Sequence, residues 1–261
     1  MFFQRVIIFV LALFAGFGAF FTTTAAQAHE TNNAYIVTGD SIDFGLSATS
    51  PNRSYAALLK TFLETTYFGG RADLHNLAVP GATSLEIIND QSEGVRGNIK
   101  THSKVAASIG GGGNDLLQFV FDPSSLVCLK SQATCLSRLN TLLDEIEQNM
   151  DVGIFSLRSA LGPDAVIFVR AQYNPLMKAS CGGPNSPLTQ LGNLAMEGMP
   201  ASALVRGLNQ RLRDIAVKYD AKVIETFLPF FLNPEKYINS DCLHPTDAGH
   251  RAIRDAAIVA F

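Results

Sequence analysis

Short apolar runs alternate along the chain with longer stretches in which apolar residues recur every three or four positions. Tyr35-Ile36-Val37 is a compact run that ends at Gly39. Leu74–Val79 is a second, closed by Pro80-Gly81, and Val105–Ile109 is a third, running into four glycines. Ala165–Val169 is a fourth, and Lys222–Ile224 starts a fifth. Apolar runs of this length predict buried strands. Between them, Ser54–Tyr67 places Leu58, Leu59, Phe62 and Leu63 at helical spacing, with Ser54 as N-cap. Leu136, Leu139, Leu143, Ile146, Met150, Ile154, Leu157 and Leu161 mark a long amphipathic helix, stopped by Gly162-Pro163. Leu204, Leu208, Leu212 and Ile215 mark another, and Thr246 caps a last helix over Asp247–Ala260. Strands joined through helices pair in parallel, because parallel neighbours need a long crossover. The expected fold is α/β, a three-layer α/β/α sandwich with its ligand outside the carboxyl ends of the strands.

The first 28 residues break this pattern. Arg5 is followed by the wholly apolar run Val6–Phe21, then by the small and polar Thr22–Ala28, which ends in Ala26-Gln27-Ala28. A basic start, an apolar core and an A-x-A site, in that order, are the features of a secretory leader. An uncleaved anchor is the competing reading. The apolar run is 16 residues, short of the roughly 20 that a membrane span needs. The expected division is therefore a leader, 1–28, and a single domain, 29–261, secreted or periplasmic, with no stable membrane anchor after cleavage near Ala28.

Composition narrows the partners. The 261 residues hold 20 basic and 23 acidic side chains, a net charge of −3. No basic excess is available to neutralise phosphates, which argues against nucleic acid. Apolar residues make up 47% and charged residues 16%, the reverse of a disordered chain. Export makes disulfides accessible to Cys128, Cys135, Cys181 and Cys242, and four cysteines allow three pairings. Cys128 and Cys135 are close enough to close a small loop, and Cys181 and Cys242 then pair by elimination. Four buried free thiols are the alternative. No C-x-x-C or matching His spacing suggests zinc.

Four motifs fall at strand ends. Thr38-Gly39-Asp40-Ser41 puts a hydroxyl in the turn after the first strand. Val79-Pro80-Gly81-Ala82 offers an unobstructed Gly81 N–H. Gly110-Gly111-Gly112-Gly113-Asn114-Asp115 lacks the lysine of a phosphate loop; its glycines are expected to let backbone approach a substrate, with Asn114 as an amide donor. In Asp241-Cys242-Leu243-His244-Pro245, a carboxylate three residues before an imidazole can orient it as a general base. Asp247 and His250 share that spacing inside the last helix and read instead as a helix-dipole carboxylate and a packing histidine. His29, His75 and His102 have no nucleophile or carboxylate at a telling spacing and read as structural or surface positions.

Taken together, Ser41, Gly81, Asn114 and His244 make the sequence resemble the GDSL, or SGNH, hydrolase family. Gly39-Asp40-Ser41-Ile42 stands for Gly-Asp-Ser-Leu, Gly112-Gly113-Asn114-Asp115 for Gly-x-Asn-Asp, and Asp241–His244 for Asp-x-x-His. The resemblance implies a flavodoxin-like sandwich with a five-stranded parallel sheet in the order 2-1-3-4-5. It implies a secreted serine esterase or lipase with the triad Ser41, His244 and Asp241. The oxyanion would be held by Ser41, Gly81 and Asn114, with no metal or organic cofactor. Asp40 and Asp115 would tie loops together beneath the site. The partner is a small-molecule or lipid ester. The segment Gln172–Pro200 reads as pocket wall, lid or satellite cluster, and its Leu and Met content suits an acyl chain. A carbohydrate esterase that removes acetyl groups from polysaccharide is the alternative, although the lack of Trp leans toward acyl substrates. A non-catalytic binding domain on the same fold is a third reading, disfavoured by the presence of Ser41 and His244.

Overall fold

The structure, a computed structural model, describes residues 32–100, 102, 104–130, 133–199 and 204–261. The expected leader and His29 lie outside them. Five strands, β1 (Asn33–Thr38), β2 (Asp73–Asn76), β3 (Lys104–Gly110), β4 (Ile167–Arg170) and β5 (Lys222–Ile224), form one sheet in the order β2-β1-β3-β4-β5. Every pairing is parallel. The helices in chain order are α1 (Ser41–Phe44), α2 (Tyr55–Leu63), α3 (Ser84–Ile99), α4 (Gly113–Val120), α5 (Ala133–Leu161), α6 (Pro187–Glu197), α7 (Leu208–Lys218), α8 (Phe227–Leu232), α9 (Pro234–Tyr237) and α10 (Asp247–Ala260). Among the described residues no helix is long and apolar enough to cross a membrane.

A parallel sheet is covered on both faces, and the two-residue alternation of each strand feeds two cores. On one face Ile36, Ala107, Ile109, Ile167 and Val169 pack with the buried stripes of α5 and α7. On the other, Tyr35, Val37, Ala106 and Phe168 pack with Leu59 and Leu63 of α2 and Ile253 and Ala257 of α10. The α5 stripe predicted from periodicity is buried from Leu136 to Leu157. Burying a Leu or Ile side chain contributes about 1.5–3 kcal/mol, so this one stripe anchors its layer. Thr246 caps α10 by accepting from the Gly249 N–H, and Ser54 caps α2 by accepting from Ala57.

Several expected boundaries shift. The second run is a strand only to Asn76. Beyond it, Leu77 and Val79 still donate to Val37 and Gly39 at 2.8 and 3.0 Å, so the chain stays beside β1 while it bends toward Pro80-Gly81. The helix expected through Tyr67 is α-helical only to Leu63 and finishes in a π turn, Glu64–Phe68. Leu204 lies outside α7, half exposed, because Gly207 is the N-cap. Apolar periodicity did not mark α3. Its buried face includes Ser84 and Gln91 beside Ile87 and Val95, too polar to stand out. The signal it does carry is the Thr83/Glu86 capping box.

The segment Gln172–Pro200 contains α6, and Leu191, Leu194 and Met196 join the main core. Most of its apolar side chains are therefore packing, not acyl contacts. Sulfur atoms of Cys128 and Cys135 lie 1.90 Å apart, and those of Cys181 and Cys242 1.94 Å.

Candidate active site

Ser41 is the first residue of α1, directly after β1. The Asp40 carboxylate accepts from the Ile42 N–H at 2.9 Å, and Asp43 returns a bond to the Asp40 N–H, a reciprocal cap. Gln91 of α3 grips the same turn: its Oε1 accepts from the Gly39 N–H at 2.7 Å and its Nε2 donates to the Gly39 carbonyl at 2.8 Å. That contact explains why a polar residue occupies the buried face of α3.

His244 Nε2 lies 3.0 Å from Ser41 Oγ, and His244 Nδ1 lies 2.7 Å from Asp241 Oδ2. The other Asp241 oxygen accepts from the N–H groups of Leu243 and His244, each at 3.0 Å. Burial pushes the Asp241 carboxyl up, but these donors and the His244 ring outweigh it and hold the group below the usual carboxylate range. Ser47 donates to Asp241 Oδ2 at 3.3 Å, and the Tyr173 hydroxyl donates to the Leu243 carbonyl at 2.7 Å, steadying the loop from two sides. Within that loop Cys242 has φ of 60°, a left-handed conformation rare for a side chain other than Asn, Asp or Gly.

Of the remaining motif residues, Asn114 lines the same crevice, and Gly81 precedes Ala82, whose carbonyl Asn114 holds. As the first residue of a helix, Ser41 has no intrahelical acceptor for its N–H. Among the described residues neither this N–H nor that of Gly81 has a hydrogen-bond partner. Gly81 has φ of 87°, the left-handed region where glycine carries no penalty. Asn114 donates one amide hydrogen to the Ala82 carbonyl at 2.9 Å, leaving the second for a ligand. Asp115 accepts from the N–H and hydroxyl of Ser84 at 2.9 and 2.8 Å, which fastens the Gly81 loop to the start of α4. The cavity lined by Ser41, Asn114 and His244 measures about 50 Å³ and is bounded by Leu117, Tyr173, Pro175 and Met196. A larger cavity, about 340 Å³, opens between α3 and α5, and none of Ser41, Gly81, Asn114 or His244 lines it.

The four glycines correct the reading of a substrate-approach loop. A Cβ on Gly110 would meet Asp43 and Arg170, one on Gly111 would meet Ile87 and Met150, and one on Gly112 would meet Ile146 and Leu208. Three of the four are small because the interior is crowded; Gly113 alone lines the crevice.

The second Asp/His pair does other work. Asp247 accepts from the Thr49 N–H and hydroxyl at 2.8 and 2.7 Å and pairs with Arg53 at 2.7 Å. His250 is fully buried; its Nδ1 accepts from the Tyr55 N–H and its Nε2 bonds to the Leu46 carbonyl. Burial lowers its pKa and keeps the ring neutral. Sequence reasoning missed Arg170, the last residue of β4, which is buried beneath Ser41 against Asp40 and Asp43. A charge ending the apolar run Ala165–Val169 was the available signal.

Comparison with known proteins follows the same lines. A family model described as the GDSL-like lipase/acylhydrolase family matches residues 37–252. No curated protein matches the chain. Among solved structures, a lipase from a goat rumen metagenome is similar with a TM-score of 0.65 and 20% identity, over 87% of this chain and 96% of that one. An acetylxylan esterase from Geobacillus stearothermophilus aligns with a TM-score of 0.60 and 16% identity, covering 88% of this chain and 94% of that one. A psychrotrophic esterase from Pseudoalteromonas sp. aligns at 0.51 and 14%, covering 88% and 96%.

Proposed function

Since the chain belongs to the GDSL-like lipase/acylhydrolase family and is a carboxylic ester hydrolase, we propose that Ser41, His244 and Asp241 are its triad and that it removes short acyl groups from esters outside the cytoplasm. The observation that carries this reading is the unbroken hydrogen-bond path from Ser41 Oγ through His244 to Asp241. Asp241 fixes the Nδ1–H tautomer, so Nε2 is free to take the Ser41 proton. Ser41 Oγ attacks the acyl carbon. The oxyanion receives the N–H groups of Ser41 and Gly81 and the second amide hydrogen of Asn114. His244 then gives its proton to the leaving alcohol, and water, activated the same way, releases the acid from Ser41.

The acyl side supports a short group. A cavity of about 50 Å³ accommodates only a few heavy atoms, with Met196 and Leu117 as its wall. This favours the acetyl ester of a polysaccharide as a second reading of the same site, in line with the likeness to an acetylxylan esterase. An exported enzyme fits the leader pattern of residues 1–28 and the two cystines.

The test is hydrolysis of 4-nitrophenyl esters from acetate to decanoate, with acetylated xylan alongside. Acetate or propionate should give the highest kcat/KM, and an optimum at decanoate would overturn the short-acyl reading. Peptide sequencing of the exported protein should begin at His29; an intact leader on it would overturn the cleavage site.

A further inference from the structure

β2 is an edge strand of the sheet. Asp73 and His75, two residues apart on it, point to the same face. His102 arrives from the turn that leads into β3. None of the three belongs to the crevice. Asp73 pairs with Ala34, near the start of β1, so the cluster sits toward the amino-terminal end of the sheet, away from Ser41.

The three side chains converge. The His75 and His102 rings lie 5.1 Å apart, tilted by 64°. One donor atom from each of Asp73, His75 and His102 lies within 4.8 Å of the other two. His102 Nδ1 bonds to the Asn98 carbonyl at 2.9 Å, and its Nε2 stands 3.5 Å from Asp73 Oδ2. A backbone carbonyl on Nδ1 fixes the tautomer that leaves the Nε2 lone pair facing Asp73, as at metal-bound histidines. His75 Nε2 is buried, and among the described residues it has no hydrogen-bond partner. A buried polar nitrogen without a partner is costly and calls for an explanation. Asp73 is half exposed, which leaves the cluster open to solvent on one side.

We propose that Asp73, His75 and His102 form a binding site for Zn²⁺, with water as the fourth ligand. Two imidazoles and a carboxylate suit a borderline divalent ion and not Mg²⁺ or Ca²⁺, which prefer all-oxygen sites. In a tetrahedral zinc site with bonds of about 2.0–2.2 Å, ligand atoms are about 3.4 Å apart, close to the separation of His102 Nε2 from Asp73 Oδ2. The ion would join β2 to the turn before β3. Its role is structural, because ester hydrolysis runs at the other end of the sheet.

The experiment uses the mature chain without an affinity tag, stripped by chelator and titrated with Zn²⁺ by calorimetry. One ion per chain should bind, Mg²⁺ and Ca²⁺ should give no signal, and the melting temperature should rise with Zn²⁺. Co²⁺ in place of Zn²⁺ should show the visible band of a four-coordinate ion. His75→Ala and His102→Ala should each weaken Zn²⁺ binding at least tenfold while retaining hydrolysis of 4-nitrophenyl acetate, which reports that the fold is intact. If either fails to fold, Asp73→Asn and His102→Gln serve in its place. Absence of Zn²⁺ binding, or binding that survives both histidine substitutions, overturns the site. Neither outcome bears on the triad, which is tested by hydrolysis alone.

Discussion

Arg170 holds Asp43 through two parallel hydrogen bonds, Nε to Oδ1 at 3.0 Å and Nη2 to Oδ2 at 2.7 Å, with both side chains fully buried. The same Nη2 reaches Asp40 Oδ1 at 3.0 Å, and Nη1 reaches Gln172 at 2.9 Å. Tyr55 donates to the same Asp43 oxygen that Arg170 Nε reaches. One cation thus holds the carboxylates on either side of Ser41, and its planar fork sets their direction as well as their charge.

Removing that cation strands two carboxylates in a dry interior. Arg170→Met should cost about 3–5 kcal/mol in urea unfolding. Arg170→Lys should recover only part of it, since an ammonium cannot bond both carboxylates in the same fork. A loss under about 1 kcal/mol for Arg170→Met would mean that the network is not needed for stability.

Ser41→Ala and His244→Ala should each lower kcat by on the order of 10⁴-fold or more, and the double variant should lose little beyond either alone, because the pair acts as one unit. His250→Ala should keep most activity while losing about 2–4 kcal/mol of stability, through the cavity and the unpaired Leu46 carbonyl. Steady-state kinetics on folded variants decide this, and a greater kinetic loss at His250 than at His244 would reverse the assignment.

Asn114→Ala should reduce kcat by about 10²–10³ with KM little changed, as expected for a donor that acts on the oxyanion. An effect on KM alone would make Asn114 a contact to bound substrate instead.

Met196→Ala should deepen the crevice and shift preference toward longer acyl groups. The ratio of hexanoate to acetate kcat/KM should rise by about 10-fold or more, on the scale of a few methylenes in an apolar pocket. An unchanged ratio would show that acyl groups lie elsewhere.

Asp247 carries a pH signature. The Thr49 N–H and hydroxyl, followed by Arg53, pull its pKa down to about 2, below the roughly 3.9 of an unfolded aspartate. A depressed folded-state pKa adds stability above the unfolded value, lost as pH falls through the folded one. Asp247→Asn should therefore melt lower than wild type at pH 7, with the gap closing between about pH 4 and pH 2. A gap that stays constant over that window would exclude the charge as its origin.

Local chemistry was legible in the sequence where it was contiguous. The strand runs, the α5 stripe and the Thr246 cap could be read because each depends on residues within one or two helical turns. Gly39–Ser41, Asn114 and Asp241–His244 could be read because each motif is contiguous in the chain. What was not legible is what the topology brings together. Gln91 is a polar residue in the middle of α3, and its bond to Gly39 spans 52 positions. Arg170 and Asp43 are 127 apart. His102 reads as a structural or surface position in the sequence because Asp73 stands 29 positions away. The glycines of 110–112 were misread because crowding by Met150, Leu208 and Arg170 leaves no trace in local composition.

Ser41 and His244 stand 203 positions apart, and the contacts that seat α10, Thr49 to Asp247 and Tyr55 to His250, span 198 and 195. Such long closures form late, because loop entropy must be overcome first. Hydrolysis is thereby a gauge of completed folding. A chain that had built its sheet but not docked α10 would carry every motif and should turn over nothing. In mild denaturant, loss of this one element should silence the enzyme before the parallel sheet unfolds.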